Sequence, residues 1–332
     1  MLAFALKRLG AAAVVLLLLT LTVFALQRTS KADPVRAKLG AGASAEAVAR
    51  EHERLGWDDP LPVQFADYVG GVVTGDFGES VRTTRPVYDD LRAFLPASIE
   101  LIAAILLVAV VLGVALGLFT ARPGARAGVV RVAMLVLSSI PGFLLTLLGI
   151  LYLYRQIGLL PASGRTSYAD APTGPTGFLT IDGLLAGRPS VTFDALHHLI
   201  LPAVAAAIVP AVAIARVLRS SLVATMASDQ VRTARAKGLT ERQVLLRHGL
   251  RNSAGPALSL IGLIVASLFA GTLIVEQIMA WPGLGAYMLR SISSTDFPAI
   301  AGVTLVLGTI YVLLNTAVEI LQTAVDPRLR DL

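Results

Sequence analysis

Six stretches of the chain carry no Asp, Glu, Lys or Arg over 19 to 24 residues each: 9–27, 101–121, 132–154, 195–215, 252–275 and 297–318. A helix needs about 20 predominantly apolar residues to cross the hydrocarbon core of a bilayer. Only helices and closed barrels can do so, because the core holds no water to pair with backbone N–H and C=O groups. The expected fold is therefore an all-α membrane protein with six transmembrane helices. Composition agrees, since 55% of the 332 residues are apolar and 15% are charged.

The first stretch follows Lys7 and Arg8, so a secretory signal competes with a retained helix. A signal would have an apolar run of about 7–15 residues and then a small-residue cleavage site. This run is longer and passes through Gln27-Arg28 without such a site. A retained first helix is expected, giving an N-terminal segment at 1–27, an extracytoplasmic subdomain at 28–95 and a core at 96–332.

Segment 28–95 holds many of the chain's acids, among them Glu46, Glu51, Glu53, Asp58, Asp59, Asp67, Asp76, Glu79, Asp89 and Asp90. They lack metal-ligand spacing and His pairing, which points to solvated surface charge. Ser44 reads as the cap of a helix over 44–56, and Gly70, Gly71, Gly75 and Gly78 punctuate the rest of the segment. Pro96 and Ser98 read as the start of the second span.

Ile140-Pro141-Gly142-Phe143 falls inside the third span and must kink or loosen it, because proline removes a helical hydrogen bond. Pro141 and Gly142, with Pro202 and Pro210 of the fourth span, are candidate gating or kink positions; a packing kink is the competing reading. His197 and His198 are adjacent and do not share a helix face, so no metal site is expected. Trp281-Pro-Gly-Leu-Gly285 suits an outer membrane interface. Glu319, near the inner end of the sixth span, needs a partner or water, and Arg216 or Arg219 is the candidate.

Residues 228–252 are the most distinctive stretch. Asp229 can cap a first short helix, Gly238 after Lys237 fits the left-handed position that ends it, and Thr240 with Gln243 has capping-box spacing for a second. Six basic and two acidic side chains give the stretch a charge of +4 with His248 neutral. In a soluble chain it would resemble a DNA-reading helix-turn-helix. Membrane-length segments on both sides argue against that, and for a docking element at a membrane surface.

Orientation follows from the short loops. With the N-terminus inside, inner segments carry 15 Lys and Arg against 4 in the two short outer loops. Both termini and the 228–252 loop are then cytoplasmic. No phosphate-binding Gly-x-x-x-x-Gly-Lys-Ser/Thr loop occurs, so ATP would have to be bound by another polypeptide. The chain has no cysteine, which excludes thiolate metal sites and disulfides. No catalytic constellation is present, and no enzyme activity is expected.

Arg232-Thr-Ala-Arg-Ala-Lys-Gly238-Leu, with Leu250-Arg-Asn252 and Pro256 downstream, resembles the coupling loop of bacterial ABC importer permeases. Leu55-Gly-Trp-Asp-Asp-Pro-Leu-Pro-Val-Gln64, Gly75-Asp-Phe-Gly-Glu-Ser80, Leu160-Pro-Ala-Ser-Gly164, Ile214-Ala-Arg-Val-Leu-Arg-Ser-Ser221 and Trp281-Pro-Gly-Leu-Gly285 resemble the first permease subunit of dipeptide and oligopeptide importers. The match runs nearly end to end. Arg232-Thr233 stands where the general permease motif has Glu-Ala, and the terminal proline is displaced to Pro256; both departures are similar to the peptide subfamily's own version. The resemblance implies a type I importer bundle in the bacterial cytoplasmic membrane, paired with a second, similar permease. It also implies two ATPase domains, separate or fused, which carry ATP and Mg while this chain binds no cofactor. An extracytoplasmic binding protein would deliver di- or oligopeptides; nickel, haem or modified peptides are the alternative cargo. Membrane lipid is the remaining partner, and no nucleic acid is implied. Arg232, Thr233, Ala234, Arg235, Lys237, Gly238 and Leu239 would carry the ATPase contact, with Thr233 and Ala234 packed close against it.

Overall fold

The computed structural model describes residues 2–29, 42, 44–54, 56 and 59–325. Leu55, Trp57 and Asp58 of the 55–64 motif, and the polar tail 326–332, lie outside the described residues. Among the described residues the regular structure is helical, with one isolated antiparallel bridge between Glu79 and Pro86. Five helices among the described residues are long and apolar enough to cross a membrane, and a bent helix pair makes a sixth span if counted as one. The chain divides into two compact units, residues 1–96 with 283–332 and residues 97–282.

In the first unit α1 (Leu2–Thr29) precedes two short helices, α2 (Ala45–Arg54) and α3 (Leu61–Thr74). Ser44 caps α2 as its sequence suggests, its Oγ accepting from the Ala47 N–H at 3.2 Å. The unit closes with the first turns of α4 (Val87–Thr120) and with two C-terminal helices. Those two are α12 (Leu284–Ser293) and α13 (Phe297–Val325). Helix α1 lies along α13: Val23 packs with Ala301 and Leu305, and Leu19 sits over Gly308, where a Cβ would collide with it. Glu319 pairs with Arg8 at 3.1 Å, not with Arg216 or Arg219. The sequence signal missed this because the two ends of the chain meet only once α1 and α13 are packed.

Asp90 corrects the expectation of solvated acids. It is buried and accepts from the hydroxyls of Thr83 at 2.6 Å and Tyr287 at 3.0 Å. Buried Asp296 accepts from the Ser80 Oγ, and so fixes the 79–86 turn to the start of α13. Helix α4 begins at Val87, with Pro96 inside it rather than at its start. Asp89 and Asp90 occupy its first turn, where negative charge suits the helix dipole.

The second unit holds the rest of α4, then α5 (Ala125–Ser138) and α6 (Gly142–Gly149), the latter widening into π turns at Ile150–Gln156. The third expected span is thus two helices bent by 98°. Pro141 is extended at φ −56 and ψ 138 and starts α6 as its N-cap, so the break is complete rather than a kink. Short α7 (Leu179–Leu185) leads to α8 (Pro189–Met226), the 38-residue helix around which the unit packs. Pro202 and Pro210 lie inside α8 without ending it. Three glycines let neighbours approach α8 closely: a Cβ on Gly113 would meet Ile214 Cβ at 2.8 Å, on Gly117 Leu218 at 3.1 Å, and on Gly149 Leu201 at 2.7 Å. Small residues allow such close contact between membrane helices. Beyond the 228–252 loop, α11 (Arg251–Ile278) runs back along α8, with Pro256 in its first turns.

Candidate functional site

The 228–252 stretch folds as a braced helix pair. Helix α9 (Asp229–Ala236) has Ser228 as its N-cap residue, and no side chain caps it. Asp229 therefore does not cap: it stands one residue inside the helix, where its carboxylate lies 3.3 Å from Arg232 in an exposed pair. The other end follows the glycine signal. Lys237 is the C-cap and Gly238 has φ +81, the left-handed conformation. The Gly238 N–H donates to Arg235 O and the Leu239 N–H to Ala234 O, the paired bonds of a Schellman motif.

Helix α10 (Glu241–Val244) opens with the capping box that the spacing suggests. Thr240 Oγ1 accepts from the Gln243 N–H at 3.4 Å, and Gln243 Oε1 accepts from the Thr240 N–H at 3.0 Å. The chain continues through π turns at Leu245–Leu250 into α11.

Three buried side chains, Val231, Ala234 and Val244, with Met226 and Leu239 beside them, form a small core between α9 and α10. Arg235 crosses to Glu241 with two bonds of 2.7 and 3.1 Å. That bonding raises the Arg235 pKa. At the base, Ser253 Oγ bonds Thr225 Oγ1 at 3.0 Å, and Gly249 seats against Leu222 and Met226. The loop is held by its own packing and tied to both flanking helices.

The expected contact residues divide between two sides. Arg232, Thr233, Arg235, Lys237 and Gly238 are exposed, while Leu239 is half-buried. Ala234 turns into the loop's own core, 5% exposed, because it shares the apolar face with Val231 three residues before it. Pro141, Gly142, Pro202 and Pro210 lie elsewhere in the unit, at the α5–α6 break and within α8.

Two buried acids of the same unit were not singled out by sequence reasoning. Glu100 accepts from Arg165 Nη2 at 2.6 Å, from the Thr180 N–H at 2.9 Å and from the Thr180 hydroxyl at 2.5 Å. Glu276 accepts from Ser98 at 2.6 Å. Trp281 is buried, its indole N–H donating to Ala97 O at 2.9 Å. The one available signal was position: both acids border an apolar stretch, where an unpaired charge is costly. His197 Nε2 and His198 Nδ1 lie 2.9 and 2.8 Å from the carbonyls of Leu159 and Asp194.

The chain matches two family descriptions that together cover almost all of it. Residues 109–331 match the binding-protein-dependent transport system inner membrane component, and residues 1–102 match the N-terminal part of such membrane components. It is 40% identical over 300 residues to the probable D,D-dipeptide transport system permease protein DdpB of Escherichia coli K12, covering 90% of this chain and 88% of that one. It is 35% identical over 332 residues to the dipeptide transport system permease protein DppB of Alkalihalophilus pseudofirmus, covering 99% and 100%. Against the protein of the same name in Escherichia coli K12 the identity is 34% over 336 residues, covering 99% of both.

Proposed function

This chain belongs to the inner membrane components of binding-protein-dependent transport systems, and on that premise we propose that it forms, with a second permease, the path of an ATP-driven importer for di- or oligopeptides. Peptide cargo is supported by the names of relatives matched over nearly their full length. Both termini are assigned to the cytoplasmic side on the asymmetry of Lys and Arg between the short loops.

The observation that carries the mechanism is the loop from Ser228 to Asn252. It has its own core, a capped turn between its two helices and an ion pair, yet turns Arg232, Thr233, Arg235 and Lys237 outward. A rigid element tied to α8 and α11 transmits a push; a floppy one absorbs it. In this reading two ATPase domains, separate or fused, bind ATP and Mg and close on one another. The exposed face of α9 moves with one of them, and the bundle rocks between two packings. A binding protein on the outer side delivers the peptide. Ala234 acts from inside the loop core, and Gly238 sets where α9 ends. Pro141, Gly142, Pro202 and Pro210 are the positions assigned to bending.

The test is uptake of a labelled dipeptide by cells lacking this chain, complemented with wild type or with Gly238→Val, and chain level followed by immunoblot. Restored uptake with wild type, and lost uptake at normal chain level with the variant, support the reading. Wild-type uptake in the variant contradicts it. Restoration of nickel or haem uptake instead of peptide uptake retains the coupling mechanism and replaces the cargo.

A further inference from the structure

At the end of α4 two guanidinium groups converge on one neutral oxygen. Arg131 Nη1 of α5 lies 3.2 Å from Thr120 O, and Arg219 Nε of α8 lies 3.1 Å from the same atom. Arg216, one turn before Arg219, reaches Ser138 Oγ at 3.2 Å; Arg122, in the connection between α4 and α5, and Arg126, in the first turn of α5, are exposed. Among the described residues no carboxylate pairs with any of these five. The negative end of the α4 dipole offsets about half a charge, which leaves a cluster of like charges without a counter-ion of its own.

Helix capping accounts for only a small part of what these side chains offer. Each guanidinium has five N–H donors, and Arg131 and Arg219 each place one on Thr120 O. The remaining donors suit the oxygens of a phosphate, which guanidinium groups bind in bidentate geometry. The surroundings narrow the source. Val129, Val132 and Val136 form an exposed stripe on α5, 68%, 62% and 58% accessible, and Phe119 and Val223 expose further apolar surface on α4 and α8. Thr120 ends one apolar helix, and Arg216 and Arg219 follow the charge-free stretch 195–215 of α8, so cations meet apolar surface at the edge of apolar stretches, where anionic headgroups attract basic side chains.

We infer that Arg131 and Arg219, supported by Arg216, bind the phosphate of an anionic phospholipid whose acyl chains lie over the Val129–Val132–Val136 stripe. The inference needs the membrane-embedded fold and is independent of what the protein transports. The lipid supplies the missing counter-charge, and it links α4, α5 and α8 just before α8 enters the 228–252 loop.

Native mass spectrometry of the purified full chain tests it, with phosphatidylglycerol, phosphatidylcholine of the same acyl chains, or glycerol 3-phosphate as probes. Wild type is expected to retain phosphatidylglycerol over phosphatidylcholine by about tenfold. Arg131→Gln with Arg219→Gln should abolish the preference, and Arg131→Lys with Arg219→Lys should keep part of it. Equal retention of both lipids by wild type overturns the inference without any variant having to fold. So does an undiminished preference in the Gln pair, or displacement of the lipid by equimolar glycerol 3-phosphate. Loss of a co-purifying ATPase in the Gln pair, with lipid retention unchanged, assigns the cluster to a protein partner and overturns it too.

Discussion

Arg235 reaches across the Gly238 turn to Glu241, with Nε 2.7 Å from Oε1 and Nη2 3.1 Å from Oε2. Both side chains are exposed, so the pair adds little to global stability, and its effect is to fix α9 against α10. Reversing one charge should loosen the loop and lower peptide uptake. The swap Arg235→Glu with Glu241→Arg should restore most of it, measured in cells at matched chain levels. A swap no better than the single reversal would assign Arg235 to a partner contact instead of this brace.

Gly238 stands in the left-handed region with open space around its Cα, so backbone strain alone decides the outcome of substitution. Gly238→Ala should destabilise the loop by about 1–2 kcal/mol, and Gly238→Val by more. Cleavage by trypsin in the Arg-rich loop should become faster in that order, with membrane insertion unchanged.

Gly113 is the tightest of the contacts between α4 and α8. A Cβ there meets Ile214 at 2.8 Å and the Ala211 carbonyl oxygen at 3.0 Å, and the backbone atom cannot swing aside. Gly113→Val should cost roughly 1–3 kcal/mol through overpacking. Thermal unfolding in detergent should show a lowered midpoint, while Gly255→Ala, with nothing within 4 Å of its Cβ position, should change it little.

The legible parts of this fold have local causes. A stretch of about 20 residues without charge has one stable home, and Pro141 cannot continue a helix begun at Ala125. Thr240, Gln243 and Gly238 act on backbone groups within three residues, so their roles could be read from spacing. Asp90 and Glu100 could not be read that way. Their burial depends on Tyr287, 197 positions away, and Arg165, 65 positions away. Glu319 was matched to the wrong cations because Arg8 becomes its neighbour only when α1 packs on α13. Ala234 was assigned outward because a motif names residues without naming the face each one occupies.

In the Glu100–Arg165 pair Glu100 is buried and Arg165 largely covered, their side chains 6% and 14% exposed. Removing one partner leaves the other charge without its counter-ion, at a cost on the order of 3 kcal/mol. Arg165→Met should lower the unfolding midpoint clearly, and Arg165→Met with Glu100→Gln should recover a large part. Midpoints of the two single variants and the double variant form the cycle that checks this.

The central claim is that the exposed face of α9 meets a motor subunit. The chain has no cysteine, so Thr233→Cys places a single thiol on that face. In membranes holding the assembled transporter, a short bifunctional maleimide should join this thiol to the ATPase subunit, and the yield should change when ATP is added. Absence of any ATPase adduct, with the thiol instead labelled by an impermeant reagent from outside intact cells, would contradict the account.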